Sequence, residues 1–281
     1  MLGRFSTLFA ALALAACVTP QPVQPVLAAP GPSTPPAAAL GTGMVSAADP
    51  RAAEAGAQIL RQGGSATDAA LATLLALTVV EPQSSGIGGG GFLVHSDPKG
   101  EVDTFDGREE APSAATPTWF YVDGKPLPID EAIPGGRSVG VPGNVRMMAL
   151  AHAEHGKLPW KALFAPAIKL AREGFILSPR GARMLARNPD IAGLTAEGRA
   201  IYYQADGTAK PAGSRIVNPK LADFLEQLAA NGADSFYVGP NAQSLAATVS
   251  GASRNPAPMT TGDIASYDAK ERPPVCGTYR G

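Results

Sequence analysis

Cysteine, tryptophan and histidine are scarce in this chain of 281 residues, which contains two, two and three of them. Two cysteines cannot build a disulfide framework or a cysteine-rich metal site. His152 and His155 are three apart on a predicted helix, a spacing that could ligate a metal. Because no cysteine or carboxylate constellation accompanies them, we interpret them as surface histidines and predict no metal site from them.

The chain also lacks an excess of charge of either sign. Lysine and arginine number 23 against 24 acidic residues, a formal net charge of −1, and the basic residues form no run. This balance gives no electrostatic basis for nucleic-acid binding. The hydrophobic fraction of 45% and the charged fraction of 17% are typical of a globular protein with a sizeable core.

The first residues predict an export signal. Arg4 supplies positive charge, and residues 8–16 form an apolar stretch too short to span a membrane. The stretch ends in LAAC, which resembles a bacterial lipobox with Cys17 as the lipidated residue. The alternative is an ordinary signal peptide cut near Ala16. Because Val18 is not aspartate, we expect a periplasmic protein anchored in the outer membrane.

Composition then divides the chain into a lipoprotein signal peptide (residues 1–16), a tether (17–40) and a globular part (41–281). The tether is rich in proline, alanine and glutamine and carries no charge, which favours an extended linker. We expect Cys276 to be a small buried apolar residue and not a disulfide partner of Cys17.

Periodicity and turn residues predict an α/β (α+β) fold. Asp49 and Asn144 read as helix N-caps, Ser65 to Asp68 as a capping box, and the helix at 69–80 as buried. Strands are predicted at 43–48, 91–96 and 101–105, and the remaining helices at 52–61, 144–155, 160–173, after Ser178, after Asn218, and at 241–249.

Four consecutive glycines, Gly88, Gly89, Gly90 and Gly91, complete a literal GxGxxG pattern. Dinucleotide binding requires a strand before the glycines and a helix after them, and here the order is reversed. Two interpretations remain. The glycines form either a tight helix-to-strand connection or a bare backbone wall beside a substrate pocket.

The motif DGREEAP, residues 106–112, places Arg108 at the end of a predicted strand. A guanidinium can grip a carboxylate with two parallel hydrogen bonds. Local chemistry leaves two readings open, a salt bridge to a neighbouring acid or a clamp for the α-carboxylate of an amino-acid-like substrate. Glu109 and Glu110 are a poor acid–base pair, because adjacent strand residues point to opposite faces.

Thr260 and Thr261 are candidates for an N-terminal nucleophile, because a threonine hydroxyl can use its own α-amine as the base. The sequence TTGDI is instead typical of a helix N-cap, and cleavage there would release only a short tail. We therefore predict no catalytic residue in this chain.

An ordered series of segments resembles the large subunit of the γ-glutamyltranspeptidase family. The segments are residues 43–45, 63–70, 82–83, 86–92, 106–112, 141–143, 166–175, 231–237 and 279–281. The resemblance covers about residues 41–281, in the correct order and with plausible spacing.

The resemblance implies an N-terminal-nucleophile hydrolase with an αββα sandwich. In that family a precursor cleaves itself, and the new N-terminal threonine of the small subunit attacks the γ-glutamyl amide. Arg108 matches the family's arginine for the glutamyl α-carboxylate, and the glycine stretch lies near that pocket. The implied partners are γ-glutamyl compounds such as glutathione and the small-subunit segment of the same precursor. The resemblance implies no metal and no organic cofactor.

The chain departs from a complete member because the segment with the nucleophile lies outside it. We therefore expect an incomplete sandwich and an inactive isolated chain. Two alternatives stay open, a glutaryl- or cephalosporin-acylase-like amidase of the same fold and a non-catalytic truncated lipoprotein remnant.

Overall fold

The structure is a computed structural model that describes residues 43–280. The predicted signal peptide and the whole tether, with Cys17, lie outside these residues. The α-helices are α1 Pro50–Arg61, α2 Ala66–Val80, α3 Ile129–Ala132, α4 Asn144–His155, α5 Ala165–Glu173, α6 Pro179–Arg187, α7 Pro189–Ala192, α8 Ala196–Tyr202, α9 Pro219–Asn231, α10 Asp234–Tyr237, α11 Pro240–Ser250 and α12 Thr261–Ala265. The strands are β1 Phe92–Ser96, β2 Val102–Asp106, β3 Tyr121–Val122, β4 Lys125–Pro126, β5 Phe175–Ile176, β6 Arg215–Ile216 and β7 Lys270–Arg272.

The first two helices begin where their caps predict. The Asp49 carboxylate accepts a hydrogen bond from the Arg51 backbone N–H, which satisfies a free donor at the start of α1. Ser65 and Asp68 form the predicted capping box of α2. Between the helices, Gly63 adopts a φ of 88°, a conformation that favours glycine.

Helix α2 is the centre of the hydrophobic core. Eleven of its 15 residues are buried, and Leu71 and Leu75 are fully so. It packs against α1, α4 and α5, and therefore contacts neighbours on most of its circumference. Burying one leucine side chain contributes about 1.5–3 kcal/mol to the free energy of unfolding. Helix α2 therefore stabilises the helix layer, whose member α4 packs on the main sheet.

The main sheet has the strand order β1-β2-β7 and is antiparallel throughout. The pairing of β1 with β2 confirms the predicted strands and their connecting turn. Leu93 pairs with Phe105, and both face α4 and the core, whereas Phe92 and Val94 point to the other face. Phe92 and Val94 are 67% and 68% exposed.

Two predicted elements differ in the structure. Residues 43–48 run without helix or strand assignment, because no described strand pairs with them; Val45 and Ala47 pack on the core instead. The predicted helix at 160–173 begins as a 3-10 turn, Trp160–Phe164, before α5. Pro166, which lacks an N–H, lies in the first turn of α5 and suits a fresh helix start.

The prediction that Cys276 is buried is wrong, and His152 and His155 are less exposed than predicted. Cys276 is exposed, as are all the residues from 271 to 280. His155 is half-buried, because its ring stacks on His95 with centroids 3.8 Å apart and meets Phe105 edge-on. His152 is half-buried because its ring packs edge-on against Trp160, with centroids 5.5 Å apart; its Nε2 lies 2.8 Å from the Leu158 carbonyl oxygen.

Within residues 43–280, no group of histidine, cysteine and acidic side chains has the geometry of a metal site. Over the same residues, no helix combines the length and apolar character that crossing a membrane requires.

Candidate functional site

Arg108 follows the end of β2, and both its backbone N–H and its backbone carbonyl are held by hydrogen bonds. Its N–H donates to Asp106 Oδ1 over 2.8 Å, and its carbonyl accepts from the Tyr267 hydroxyl over 2.7 Å. The pKa of Asp106 lies below its usual range, first because of the Arg108 N–H and further because Arg272 bonds to the carboxylate. Asp106 is thus an anionic anchor for this turn.

The Arg108 guanidinium is open to a ligand. Its side chain is 65% exposed, and Nη1 lies 2.9 Å from Glu109 Oε2. That oxygen makes no aligned hydrogen bond, so the contact is an attraction of charges without the parallel geometry of a carboxylate fork. Most of the guanidinium donors can therefore turn toward a substrate carboxylate.

Glu109 and Glu110 diverge, as strand alternation predicts. Glu109 turns toward Arg108 and the glycine stretch, whereas Glu110 pairs with Lys270 over 2.9 Å. The two carboxylates therefore serve different neighbours and do not form an acid–base pair. The sequence allowed a salt bridge from Arg108 to a neighbouring acid, and in the structure that acid is Glu109.

The glycine stretch lies against the backbone of the DGREEAP motif. Gly91 and Gly107 exchange backbone hydrogen bonds of 3.2 and 2.9 Å. A Cβ on Gly90 would approach the Gly107 carbonyl oxygen to 2.5 Å, so a side chain has no room there. A Cβ on Gly88 would meet nothing within 4 Å. The stretch follows α2 and precedes β1, which is the element order predicted from the sequence.

The VPGN turn, residues 141–144, completes this backbone cluster. The N–H groups of Gly143 and Asn144 both donate to the Gly89 carbonyl over 3.0 Å. The prediction that Asn144 caps α4 is wrong. Asn144 is the first residue of the helix, and its side-chain amide donates to the Gly86 carbonyl over 2.6 Å. The Asn144 side chain does not cap the helix because it is hydrogen-bonded to the glycine stretch, a tertiary contact that the local sequence does not show.

Tyr267 is a site residue that the sequence did not reveal. Its hydroxyl positions the Arg108 carbonyl, although 159 residues separate the two. Burial raises the pKa of Tyr267 to about 12, and Glu110, Asp106 and Glu109 add to the effect. The tyrosine therefore stays a neutral hydrogen-bond donor at any physiological pH. No local motif marks it.

A groove of about 450 Å³ opens beside Arg108. We call it the Arg108 groove; its lining includes Arg108, Glu109, Glu110, Trp119, Phe120 and Arg137. Its volume lies within the range of small-molecule sites. The glycines Gly88 to Gly91 do not line this groove, and their role as a pocket wall elsewhere around Arg108 stays a prediction.

The threonines at 260 and 261 have a structural role. The Thr260 hydroxyl accepts from the Asp263 N–H over 3.0 Å, and Asp263 Oδ2 accepts from the Thr260 N–H over 2.8 Å. This capping box starts α12 and confirms the predicted N-cap.

Comparison with known proteins places the chain in a family. Residues 52–281 match the family model described as gamma-glutamyltranspeptidase. The scoloptoxin SSD14 of Scolopendra dehaani is 45% identical over 69% of this chain and 33% of its own length. The glutathione hydrolase proenzyme of Escherichia coli is 35% identical over 85% of this chain. The chain spans 41% of that relative's length.

Solved structures give the same result. The gamma-glutamyltranspeptidase of Helicobacter pylori superposes with a TM-score of 0.81 and 34% identity, over 88% of this chain and 70% of that one. A cephalosporin acylase from Bacillus halodurans superposes with a TM-score of 0.75 and 31% identity, over 91% and 48%. The fold is therefore that of the N-terminal-nucleophile hydrolases, as the sequence predicts. Within that class, the chain belongs to the gamma-glutamyltranspeptidase family.

Proposed function

We propose that this chain is the substrate-gripping part of an enzyme that hydrolyses or transfers γ-glutamyl groups, glutathione among its substrates. The observation that carries the proposal is the Arg108 guanidinium, which is exposed, held at its backbone and not locked by an aligned ion pair. Such a guanidinium fits the α-carboxylate of a glutamyl group. Relatives named as glutathione hydrolases support this substrate class.

The reaction we propose is acyl transfer through a threonyl ester. A threonine hydroxyl from a small-subunit segment outside this chain adds to the γ-carbonyl carbon, and its proton passes to the leaving amine as the C–N bond breaks. Water, or the amine of an amino acid or peptide, then attacks the ester and releases the threonine. In this scheme Arg108 holds the glutamyl end, and the implied reaction requires no metal or organic cofactor.

Replacing Arg108 by lysine in the precursor that contains this chain tests the proposal. An ammonium keeps the charge but cannot form two parallel hydrogen bonds to a carboxylate. Losing such a charge-assisted contact costs about 1.5–3 kcal/mol, so we expect kcat/KM for γ-glutamyl-4-nitroanilide to fall roughly 10- to 100-fold.

Arg183→Lys is the matched control. Arg183 is exposed on α6 and does not line the Arg108 groove, so kcat/KM should stay within about twofold of the parent. Unchanged kcat/KM in the Arg108→Lys enzyme would refute the assignment of Arg108.

A glutaryl or cephalosporin acylase of the same fold is the second candidate, supported by the likeness to the Bacillus halodurans structure. Glutaryl and γ-glutamyl anilides share the acyl chain and its terminal carboxylate, and the glutaryl compound lacks only the α-amino group. Because both compounds offer Arg108 that carboxylate, their relative kcat/KM reports whether the enzyme also recognises the α-amino group, and the proposed function predicts a preference for the γ-glutamyl compound. Preference for the glutaryl compound would favour the acylase, and turnover of neither would favour a non-catalytic remnant.

We also propose that Cys17 is lipidated and that the protein is tethered to the outer membrane on its periplasmic side. The support is the LAAC sequence, the uncharged tether and the absence of aspartate at position 18. Mass spectrometry of the mature N-terminus decides between an acylated Cys17 and an ordinary signal-peptide cut.

A further inference from the structure

The Arg108 groove contains a second guanidinium, that of Arg137. No described carboxylate lies within 4.0 Å of it. Its one side-chain hydrogen bond runs from Nη1 to the Tyr121 carbonyl over 3.4 Å, at the long limit for such a bond. The Arg137 side chain therefore contributes little to holding the surrounding loops together.

The backbone of Arg137 is anchored without its side chain. Its N–H donates to the Asn255 carbonyl over 2.8 Å, and its carbonyl accepts from the Trp119 indole over 2.8 Å. The preceding Gly136 is buried against the carbonyl oxygens of Val249 and Asn255. The guanidinium is thus presented from a fixed point on the groove wall, which lowers the entropy that binding must offset.

Each of the other charged side chains along the groove has a side chain of opposite charge 2.9 Å away. Glu109 lies against Arg108, and Glu110 is bound by Lys270. Two arginines thus face two glutamates, and one of these glutamates is neutralised from outside the groove. Arg137 is the cation left without an anionic neighbour within 4 Å among the described residues, so the groove offers it to a ligand.

We propose that Arg137 binds a carboxylate on the amine side of the scissile amide and so selects leaving groups and acceptors that are amino acids or peptides. The inference rests on the proposed function, in which Arg108 holds the glutamyl α-carboxylate. Trp119 and Phe120 line the same groove and supply an apolar surface for the side chain of that amine. Arg137 is thus a specificity residue and takes no part in proton transfer.

Two substrates that differ by one carboxylate test this proposal. γ-Glutamyl-4-nitroanilide has an uncharged leaving amine, and γ-glutamyl-3-carboxy-4-nitroanilide carries a carboxylate on it. In the precursor that contains this chain, we expect Arg137→Gln to raise KM for the carboxylated substrate about tenfold, the effect of one partly exposed charge-assisted contact. We expect kcat to stay unchanged, and KM for the plain anilide to stay within about twofold.

Arg137→Lys keeps the charge without the fork, so its KM for the carboxylated substrate should lie between those of the parent and Arg137→Gln. Arg183→Gln removes an exposed arginine outside the groove and controls for net charge. The lysine variant also serves if the glutamine variant does not fold.

The outcomes separate this inference from the proposed function. If the parent enzyme turns over neither anilide, the proposed function fails and the inference fails with it. If the parent turns over both and the Arg137 variants change both equally, or change neither, the subsite at Arg137 is refuted while the γ-glutamyl activity stands.

Discussion

The turn that carries Arg108 is positioned by glycine backbones that contact one another directly. Gly90 lies against the Gly107 carbonyl, and a Cβ on Gly143 would approach that same oxygen to 2.1 Å. A side chain at any of these points would push the turn that carries Arg108 away from the helix layer. The glycines therefore affect function indirectly, because they allow the turn that carries Arg108 to lie close to the helix layer.

We predict that Gly90→Ala lowers the free energy of unfolding by about 1–3 kcal/mol, because the new methyl group overlaps backbone atoms that cannot move aside. Gly88→Ala is the matched control, since its Cβ meets open space, and we expect a change within about 0.5 kcal/mol. Urea titration of both variants measures the difference. Equal stability would show that the backbone contacts at Gly90 adjust freely.

The sequence indicates a close backbone approach at the four glycines but not which glycine makes it. That distinction depends on Gly107 and Glu109, which lie after the end of β2. Tyr267 is harder still, because its hydrogen bond to the Arg108 carbonyl spans 159 residues and no neighbour of Tyr267 suggests it. Chemistry that is local in sequence could be predicted, and contacts that the fold creates could not.

At the scale of secondary-structure elements, capping residues hold loops as well as helices. Asp68 caps α2 as predicted, and its buried carboxylate also accepts from the N–H groups of Lys157 and Leu158 after α4. Asp263 caps α12 and accepts from the Ser113 N–H in the loop beyond Arg108. The sequence predicts each local cap, whereas the second partner of each becomes known only with the fold.

The pKa of Asp263 lies well below its ordinary value of 3.8, first because of the hydrogen bond from Ser113 and then because of the bonds from Thr260. A lowered pKa in the folded state gives a stabilisation that is fully present above the unfolded value of 3.8 and is lost as the pH falls toward the folded value.

We therefore predict that Asp263→Asn destabilises the protein at pH 6 and that its deficit relative to the parent shrinks at pH 3. Urea midpoints at the two pH values give the comparison. Asp97→Asn, in the exposed turn between β1 and β2, controls for the general effect of acid on a turn carboxylate. A deficit that is the same at both pH values would mean that the Asp263 charge contributes nothing.

At the scale of the whole molecule, the main sheet is covered on one face only within the described residues. Helix α4 packs on the face that carries Leu93 and Phe105, while Phe92 and Val94 on the opposite face are exposed. Exposed apolar patches on a sheet mark a surface that another element covers. The covering element we propose is the small-subunit segment of the same precursor, since the chain spans 41% of the Escherichia coli relative.

Our last prediction is that residues 41–281, purified alone, do not hydrolyse γ-glutamyl-4-nitroanilide and bind a hydrophobic dye through this sheet face. Phe92→Thr and Val94→Thr should lower the dye fluorescence, because each removes an exposed apolar side chain from the face. Val122→Thr is the control, since Val122 is 44% exposed on the separate β3–β4 hairpin and should leave most of the fluorescence in place. Turnover clearly above the blank would show that the residues of this chain suffice for catalysis and would overturn the assignment of the nucleophile to another segment.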